Sequence, residues 1–555
     1  MSRQHPKPSL VPQRLSARTI GWLLLVGALG LYGFNVLFLN PAETFQRNLW
    51  TWPDAPEYLD GALSLVREGQ YVIHLAGQEH PPRYPFGFSL AVAAAYTLGA
   101  DALTAPYRVN QACGLLLLLT VFWILHRRGR ALEGGLAALL LSSLPAFVIL
   151  CRSPMSEPLG ALVLLWVAWL LFLHAGRRHP GLLSVAGAAG ALLLGLSLNI
   201  RLANLFWTPL LAAAVLSPSS LKWSRRFSQG AMLGTCFLLG ALPLFLYNYL
   251  TFGSVFSTGY AYWISHKSHF FNAFRLEHVP IQLAYLWSEF VQNEHFTTAA
   301  IYGHGSYFSP AFLLLCLPSL AVLRSRRFYW FSALGSAYPV SLLFYFYDDG
   351  RLYFPLAVLA VAPVAMGVCR LFRKLREGSA SPAGQRRSHV LQRSLTVVLA
   401  ILLTASVAAI PGPRGWSGTW TLLEKDSLKQ RSRAYEMVGI LMDRSPAAPR
   451  VVLTDMNVVY LHALLPWPVD VAPLTNTHLY RSNKENFDFK DGQRRDFIAA
   501  RIEAGQTIYI ASVDVDIDEV VEQPVLSDYV WEILERTERG GLLRLKGPGS
   551  PRQSH

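Results

Sequence analysis

Long apolar runs separated by short charged segments set the pattern of this chain. Runs at residues 19–39, 107–126, 131–150, 157–175, 181–200, 203–217, 228–250, 308–323, 328–346, 352–371 and 394–411 are read as about eleven transmembrane helices, since about 20 residues cross a hydrocarbon core. The run 19–39 is long for a signal-peptide core and no small-x-small cleavage site follows it, so it is expected to remain as the first span. The apolar piece 86–99 is too short to cross and reads as a helix lying at the interface. Beyond residue 412 the pattern changes. Short strand-like runs at 450–454, 507–511 and 542–545 alternate with helical patterns near 427–443 and 494–504, which predicts a small α/β domain over 413–555.

Composition agrees with that division. The chain is 52% hydrophobic and 15% charged, with a mean hydropathy of +0.30, too apolar for a soluble protein of this length. A net charge of +14 raises nucleic acid as a partner, but the basic residues sit in short clusters between apolar runs instead of forming a solvated face. They obey the positive-inside rule instead. With the tail 1–18 in the cytoplasm, 22 of the 31 Lys and Arg before residue 413 fall on the cytoplasmic side, against Glu133 and Glu377 alone. The other 9 share the outward side with 13 acidic residues. The predicted architecture is a polytopic α-helical membrane protein: a transmembrane domain over 19–412, with outer loops 40–85 and 251–307 and a basic cytoplasmic linker 373–393, then an extracytoplasmic α/β domain. The five cysteines, Cys113, Cys151, Cys236, Cys316 and Cys369, all lie in or beside apolar segments, so no disulfide framework is expected. That, with the lack of a retention signal, favours a bacterial plasma (inner) membrane.

Charges at the outer ends of spans need a partner or a wet cavity. The first outer loop reads Pro53-Asp54-x-x-x-Tyr58, then Glu79-His80-Pro81-Pro82-Arg83, then Tyr84-Pro85-Phe86-Gly87; a later outward segment reads Asp348-Asp349-Gly350-Arg351-Leu352-Tyr353. In this order and on this topology, the motifs resemble the GT-C superfamily of glycosyltransferases, which take sugar from a polyprenyl phosphate. The resemblance is closest to the branch holding the protein O-mannosyltransferases and the lipid A aminoarabinose transferase. The adjacent Asp-Glu pair of the mannosyltransferases is missing here.

The resemblance implies a catalytic role for Asp54, with Glu79 as the second acid. Tyr58, His80, Arg83, Arg201, Asp349, Arg351 and Tyr353 are then candidates for substrate binding, with His80 standing where some relatives carry a basic residue. Guanidinium groups grip phosphate by bidentate hydrogen bonds, and a carboxylate takes the proton of the attacking hydroxyl. The expected activity is inverting transfer, at the outer face, from a polyprenyl-phosphate sugar to a glycolipid, glycan or protein acceptor. The lipid-linked sugar is a substrate and no cofactor is expected; a divalent metal at Asp54 and Glu79 is left open but not expected. His266-x-x-His269 reads as incidental.

Plainer readings stay open beside these. Asp54 can cap the helix starting at Ala55, Arg201 and Arg351 can snorkel to headgroups, and Arg152 can pair with Glu157. Glu57 and Asp60 read as solvated-face charges of an amphipathic helix. For the whole chain, a transporter or flippase and a non-catalytic membrane scaffold with an outward binding domain are the alternatives.

Overall fold

The structure, a computed structural model, describes residues 16–38, 54–102, 104–175, 184–218, 221–263, 273–287, 316, 325–347, 349–377, 428–445, 451–456, 458–465, 469–474, 489 and 491–548. The spans expected at 308–323 (residue 316 apart) and 394–411 lie outside the described residues, as do Asp348, His266 and His269.

Helix α1 (Ala17–Tyr32) opens behind Ser16, whose hydroxyl accepts from the Thr19 N–H. After the first loop come α2 (Ala55–Arg67), the hairpin β1–β2 (Ile73–Leu75, Gln78–His80) and α3 (Gly87–Thr97). Helices α4 (Ala105–His126), α5 (Ala131–Ser142), α6 (Pro145–Cys151), α7 (Glu157–Ala175), α8 (Val185–Ser197), α9 (Pro209–Leu216) and α10 (Trp223–Phe252) follow. Then come α11 (Gly259–Trp263), α12 (Val279–Trp287), α13 (Arg326–Gly335), α14 (Ala337–Leu343) and α15 (Phe354–Glu377). Among the described residues, five helices are long and apolar enough to cross a membrane: Ala17–Leu37, α4, α7, α10 and Gly350–Lys374.

Several spans expected to be continuous are broken. The run 131–150 bends by 68° between α5 and α6; Leu144 is extended at ψ 129°, the conformation that a following proline imposes. The run 203–217 begins as a 3-10 turn, Leu202–Trp207. The run 328–346 breaks at Ser336, where Pro339 has no N–H to donate to the preceding turn. The piece 86–99 forms the eleven-residue α3, too short to span. Its first residue is fixed by packing: the Gly87 N–H donates to Asn199 O at 2.6 Å, and a Cβ there would lie 2.5 Å from that oxygen. Gly87→Ala is therefore expected to cost about 1–3 kcal/mol, measured as a lower melting temperature in detergent.

Helix α16 (Leu428–Arg444) leads to a five-stranded mixed sheet with order β4-β3-β5-β7-β6. Strands β3 (Val451–Thr454), β4 (Asp470–Pro473) and β5 (Ile508–Ser512) are parallel, while β7 (Gly541–Pro548) runs antiparallel to β5 and to β6 (Tyr529–Arg536). Helices α17 (Val458–Leu464), α18 (Asp491–Glu503) and α19 (Ile517–Glu522) complete this part. Alternate side chains serve two cores. Val451, Leu453, Ile508 and Ile510 pack with Ile498 of α18, whereas Val452, Tyr509 and Ala511 face Met437 and Leu441 of α16.

The β1–β2 hairpin docks on this sheet. Its two turn residues, Ala76 and Gly77, have φ of 53° and 72°, as a tight two-residue turn needs. The Ala76 N–H donates to Val471 O at 2.8 Å, and Ala76 packs in the core around β3 and β5. Outside contacts thus compensate for a left-handed alanine.

Candidate active site

The site begins with a carboxylate that does not do the local task open to it. Asp54 stands at the N-cap of α2, yet its backbone is helical and its side chain makes no capping hydrogen bond. The capping reading is thereby corrected. The carboxylate is 6% exposed and turns to a residue 297 positions away: Arg351 Nη1 donates to Asp54 Oδ2 at 2.9 Å. The Tyr84 hydroxyl donates to Oδ1, and Tyr84 is itself steadied by Tyr71, whose hydroxyl donates to Tyr84 O at 3.1 Å. Burial pushes the Asp54 carboxyl up, but Arg351 and Arg83, with the Tyr84 hydrogen bond, hold it below the usual range.

Arg351 is held on several sides. It lies in the 3-10 turn Gly350–Tyr353, capped by Asp349. Asp349 Oδ1 accepts the Arg351 backbone N–H at 2.9 Å, and Oδ2 meets Arg351 Nε at 2.7 Å. Glu157 Oε1 lies 3.7 Å from the same Nε and also contacts Arg201 Nη1. Arg201 donates to Ser156 Oγ at 3.2 Å, and the Tyr58 hydroxyl joins Ser156 Oγ at 3.1 Å. The loop carrying Ser156 and Glu157 is pinned by Asn110, whose Nδ2 donates to Ser153 O and Met155 O at 2.5 and 2.6 Å. With side chains 11% and 12% exposed, Arg351 and Arg201 are anchored to acids. Snorkelling does not describe them.

Two arginines thus face three carboxylates, Asp54, Asp349 and Glu157, an excess of negative charge that favours a proton on one acid. Burial pushes Asp349 up to about 6 against the pull of Arg351. Folded Asp349 therefore binds its proton more tightly than an unfolded aspartate near 3.9, so its contribution to stability falls as pH rises from about 4 through about 6. Asp349→Asn is expected to flatten this fall, as read from melting temperatures at pH 5 and 7 in detergent.

Glu57 and Asp60, expected on a solvated face, are 1% and 0% exposed. Glu57 is buried because Arg83 neutralises it: the Arg83 backbone N–H and Nη2 donate at 2.9 and 2.5 Å. The Arg83 guanidinium also lies 5.0 Å from the centre of the Tyr84 ring. His80 Nδ1 is 3.0 Å from the Tyr262 hydroxyl, and burial pulls its pKa down, so it stands as a neutral imidazole.

The structure brings together Asp54, Tyr58, Arg83, Arg201, Asp349 and Arg351. Glu79 is exposed on β2, grouped with Glu68 and His74. Tyr353 is buried with its hydroxyl unpartnered. Among the described residues, neither group of side chains able to share a metal includes Asp54. The sequence shows Tyr84 only as part of a motif, with no role of its own, and marks neither Ser156 nor the role of Glu157. An acid opening the apolar run of α7 was the available signal for Glu157, which pairs with Arg201 and Arg351 instead of Arg152. The Arg152 backbone N–H donates to Val148 O and Ile149 O at 3.2 and 3.1 Å; its guanidinium has no ion pair among the described residues, and burial pulls it down to about 10.

No protein-family model and no curated protein matches the sequence. Solved structures do. ArnT from Cupriavidus metallidurans bound to undecaprenyl phosphate superposes with a TM-score of 0.59 at 13% identity, covering 94% of this chain and 98% of that one. Its apo form gives 0.58 at 14% identity, with 95% and 98% covered. The apo oligosaccharyltransferase of Archaeoglobus fulgidus gives 0.50 at 13% identity, covering 88% of this chain and 69% of its own. The chain shares the fold of these structures.

Proposed function

We propose that this protein is an integral-membrane glycosyltransferase that moves a sugar from a polyprenyl-phosphate donor to an acceptor at the outer face of the membrane. The observation that carries the reading is Asp54, a buried carboxylate that leaves its own helix uncapped and is aimed, with Tyr84, at Arg351. The fold shared with ArnT, which was solved with undecaprenyl phosphate bound, supports the donor class.

In the proposed reaction the acceptor hydroxyl attacks C1 of the sugar while the bond from C1 to the phosphate oxygen breaks, so C1 inverts. The hydroxyl proton passes to Asp54 Oδ, and the phosphate departs as a stable anion. A carboxylate with a depressed pKa is a weak base at rest. Donor phosphate competing for Arg351 loosens the hold of that guanidinium on Asp54 and raises its basicity as the reaction begins. Arg351 and Arg201 hold the phosphate, with Arg152 supplying positive charge that no described carboxylate neutralises. Tyr58, Asp349 and Arg83 position these groups. On this reading residues 1–18 are cytoplasmic, 19–412 form the transmembrane domain, and 413–555 form an extracytoplasmic domain beside the first loop in a bacterial plasma membrane.

Proteoliposomes carrying radiolabelled donor and a candidate acceptor separate transfer from transport. Transfer leaves label in a glycosidic product together with free polyprenyl phosphate. Label crossing the membrane on intact donor, with no glycosidic bond formed, would replace this reading with a flippase.

A further inference from the structure

Helix α7 places Glu157 in the candidate site with its first turn, so its last residues lie about 25–30 Å away at the other end of the span. Charge collects there from two distant stretches of chain. Arg127, Arg128 and Arg130 follow α4, and Arg326 and Arg327 open α13. The Arg128 guanidinium lies 5.0 Å from the centre of the Phe172 ring on α7, and Phe172 packs on Phe328 of α13 at 5.2 Å. Desolvation, with Arg327 and Arg130 close by, pulls the Arg128 guanidinium below its ordinary value.

No acid answers these charges. Among the described residues no carboxylate forms an ion pair with Arg127, Arg128 or Arg130, and Glu133, the acid nearest in sequence, is held by Arg373 Nη2 at 3.0 Å. Beside the charges runs an aromatic stripe. Trp166, Trp169 and Phe172 follow at three-residue steps along one side of α7. Trp169 meets Trp123 of α4 at 4.9 Å between ring centres, and Trp166 lies 5.2 Å from Trp169. Trp123 is exposed and the other three rings are partly so. The Arg127 guanidinium sits 5.7 Å from the Trp123 ring, where the stripe and the charges join.

We propose that this end of α4, α7 and α13 binds an anionic phospholipid, its phosphate held by Arg128, Arg327 and Arg130 and its acyl chains laid along Trp123, Trp166 and Trp169. Guanidinium forks match phosphate oxygens in pairs, and basic pockets between spanning helices suit acidic headgroups. The aromatic stripe selects a lipid over a free anion, which would use the guanidiniums and leave the rings idle; tryptophan also favours the membrane interface. A zwitterionic lipid carries its own cation and does not relieve the excess positive charge. A shared phosphate would tie the end of α4 to the start of α13 and lift the repulsion between them. The leaflet follows from the topology proposed above and is the cytoplasmic one. Binding itself depends neither on that side nor on glycosyl transfer.

Full-length protein, delipidated in non-ionic detergent, would be titrated with phosphatidylglycerol, phosphatidylcholine or inorganic phosphate, reading bound lipid by native mass spectrometry and stability by melting temperature. A double variant, Arg128→Gln with Arg327→Gln, would be compared with Lys222→Gln plus Arg225→Gln, which removes the same charge from exposed positions at the start of α10. Wild type and this control are expected to bind phosphatidylglycerol and to melt higher with it, without such a rise from phosphatidylcholine or phosphate. The Arg128 and Arg327 double variant should bind phosphatidylglycerol about 30-fold more weakly, each basic residue beside an anionic lipid contributing about fivefold. Where the double variant does not fold, Arg128→Gln alone, at an exposed position, should lose about fivefold. An equal response to both lipids, or undiminished affinity in the folded variant, would overturn the proposal. A melting shift from phosphate alone would overturn it in favour of a free anion.

Discussion

Asp54→Asn is expected to lower turnover by about 10²–10⁴-fold, the usual worth of a positioned general base, while the protein folds and binds donor. The substitution keeps the side-chain shape, and Asn Oδ1 still accepts from Tyr84. Arg351 retains Asp349 at 2.7 Å and Glu157, so the loss of one carboxylate charge does not strand the guanidinium. What disappears is the group able to receive a proton. The signature is therefore a fall in turnover with donor affinity nearly unchanged. A loss of donor binding with normal turnover would instead give Asp54 a binding role alone.

Arg351→Ala should have the largest effect on stability. It leaves Asp54, Asp349 and Glu157 near one another, with Arg201 on Glu157 and the more distant Arg83 acting on Asp54 to oppose them. Breaking a buried ion pair from one side costs about 3–5 kcal/mol, so poor expression or a sharply lowered melting temperature is expected. Arg351→Lys keeps the charge and isolates the geometry. An ammonium is a compact point charge and cannot reproduce the planar fork that meets Asp349 with Nε and Asp54 with Nη1. Losing one charge-assisted hydrogen bond is worth about 1.5–3 kcal/mol, which corresponds to donor affinity about 10- to 100-fold weaker. Direct binding of a polyprenyl phosphate to folded Arg351→Lys measures it.

Hydropathy made the long helices legible because a span needs only length and apolarity. It could not see the breaks at Leu144 and Ser336, which come from prolines 145 and 339 acting on backbone that composition treats as uniform. In the C-terminal part, strands β3, β5 and β7 lie on the apolar runs at 450–454, 507–511 and 542–545. Strand β4, Asp470–Pro473, was missed because it is short, ends in proline and sits at an edge. In the site, Asp54, Tyr58 and Arg351 stood out through motif order. Burial of Glu57 and Asp60 was illegible, because their partners lie 26 residues away at Arg83 and 402 away at His462. An amphipathic pattern marks α2 as one-faced; it cannot report that a separate part of the chain covers the polar face.

The most direct test of the central claim uses purified wild type and Asp54→Asn in detergent, with a panel of radiolabelled polyprenyl-phosphate sugars and candidate acceptors, following both glycosidic product and free polyprenyl phosphate. Donor binding is read in the same samples. The account expects wild type to form product from at least one donor and Asp54→Asn to bind that donor without forming it. Full activity in Asp54→Asn, or a wild type that neither binds nor turns over any donor, would contradict it.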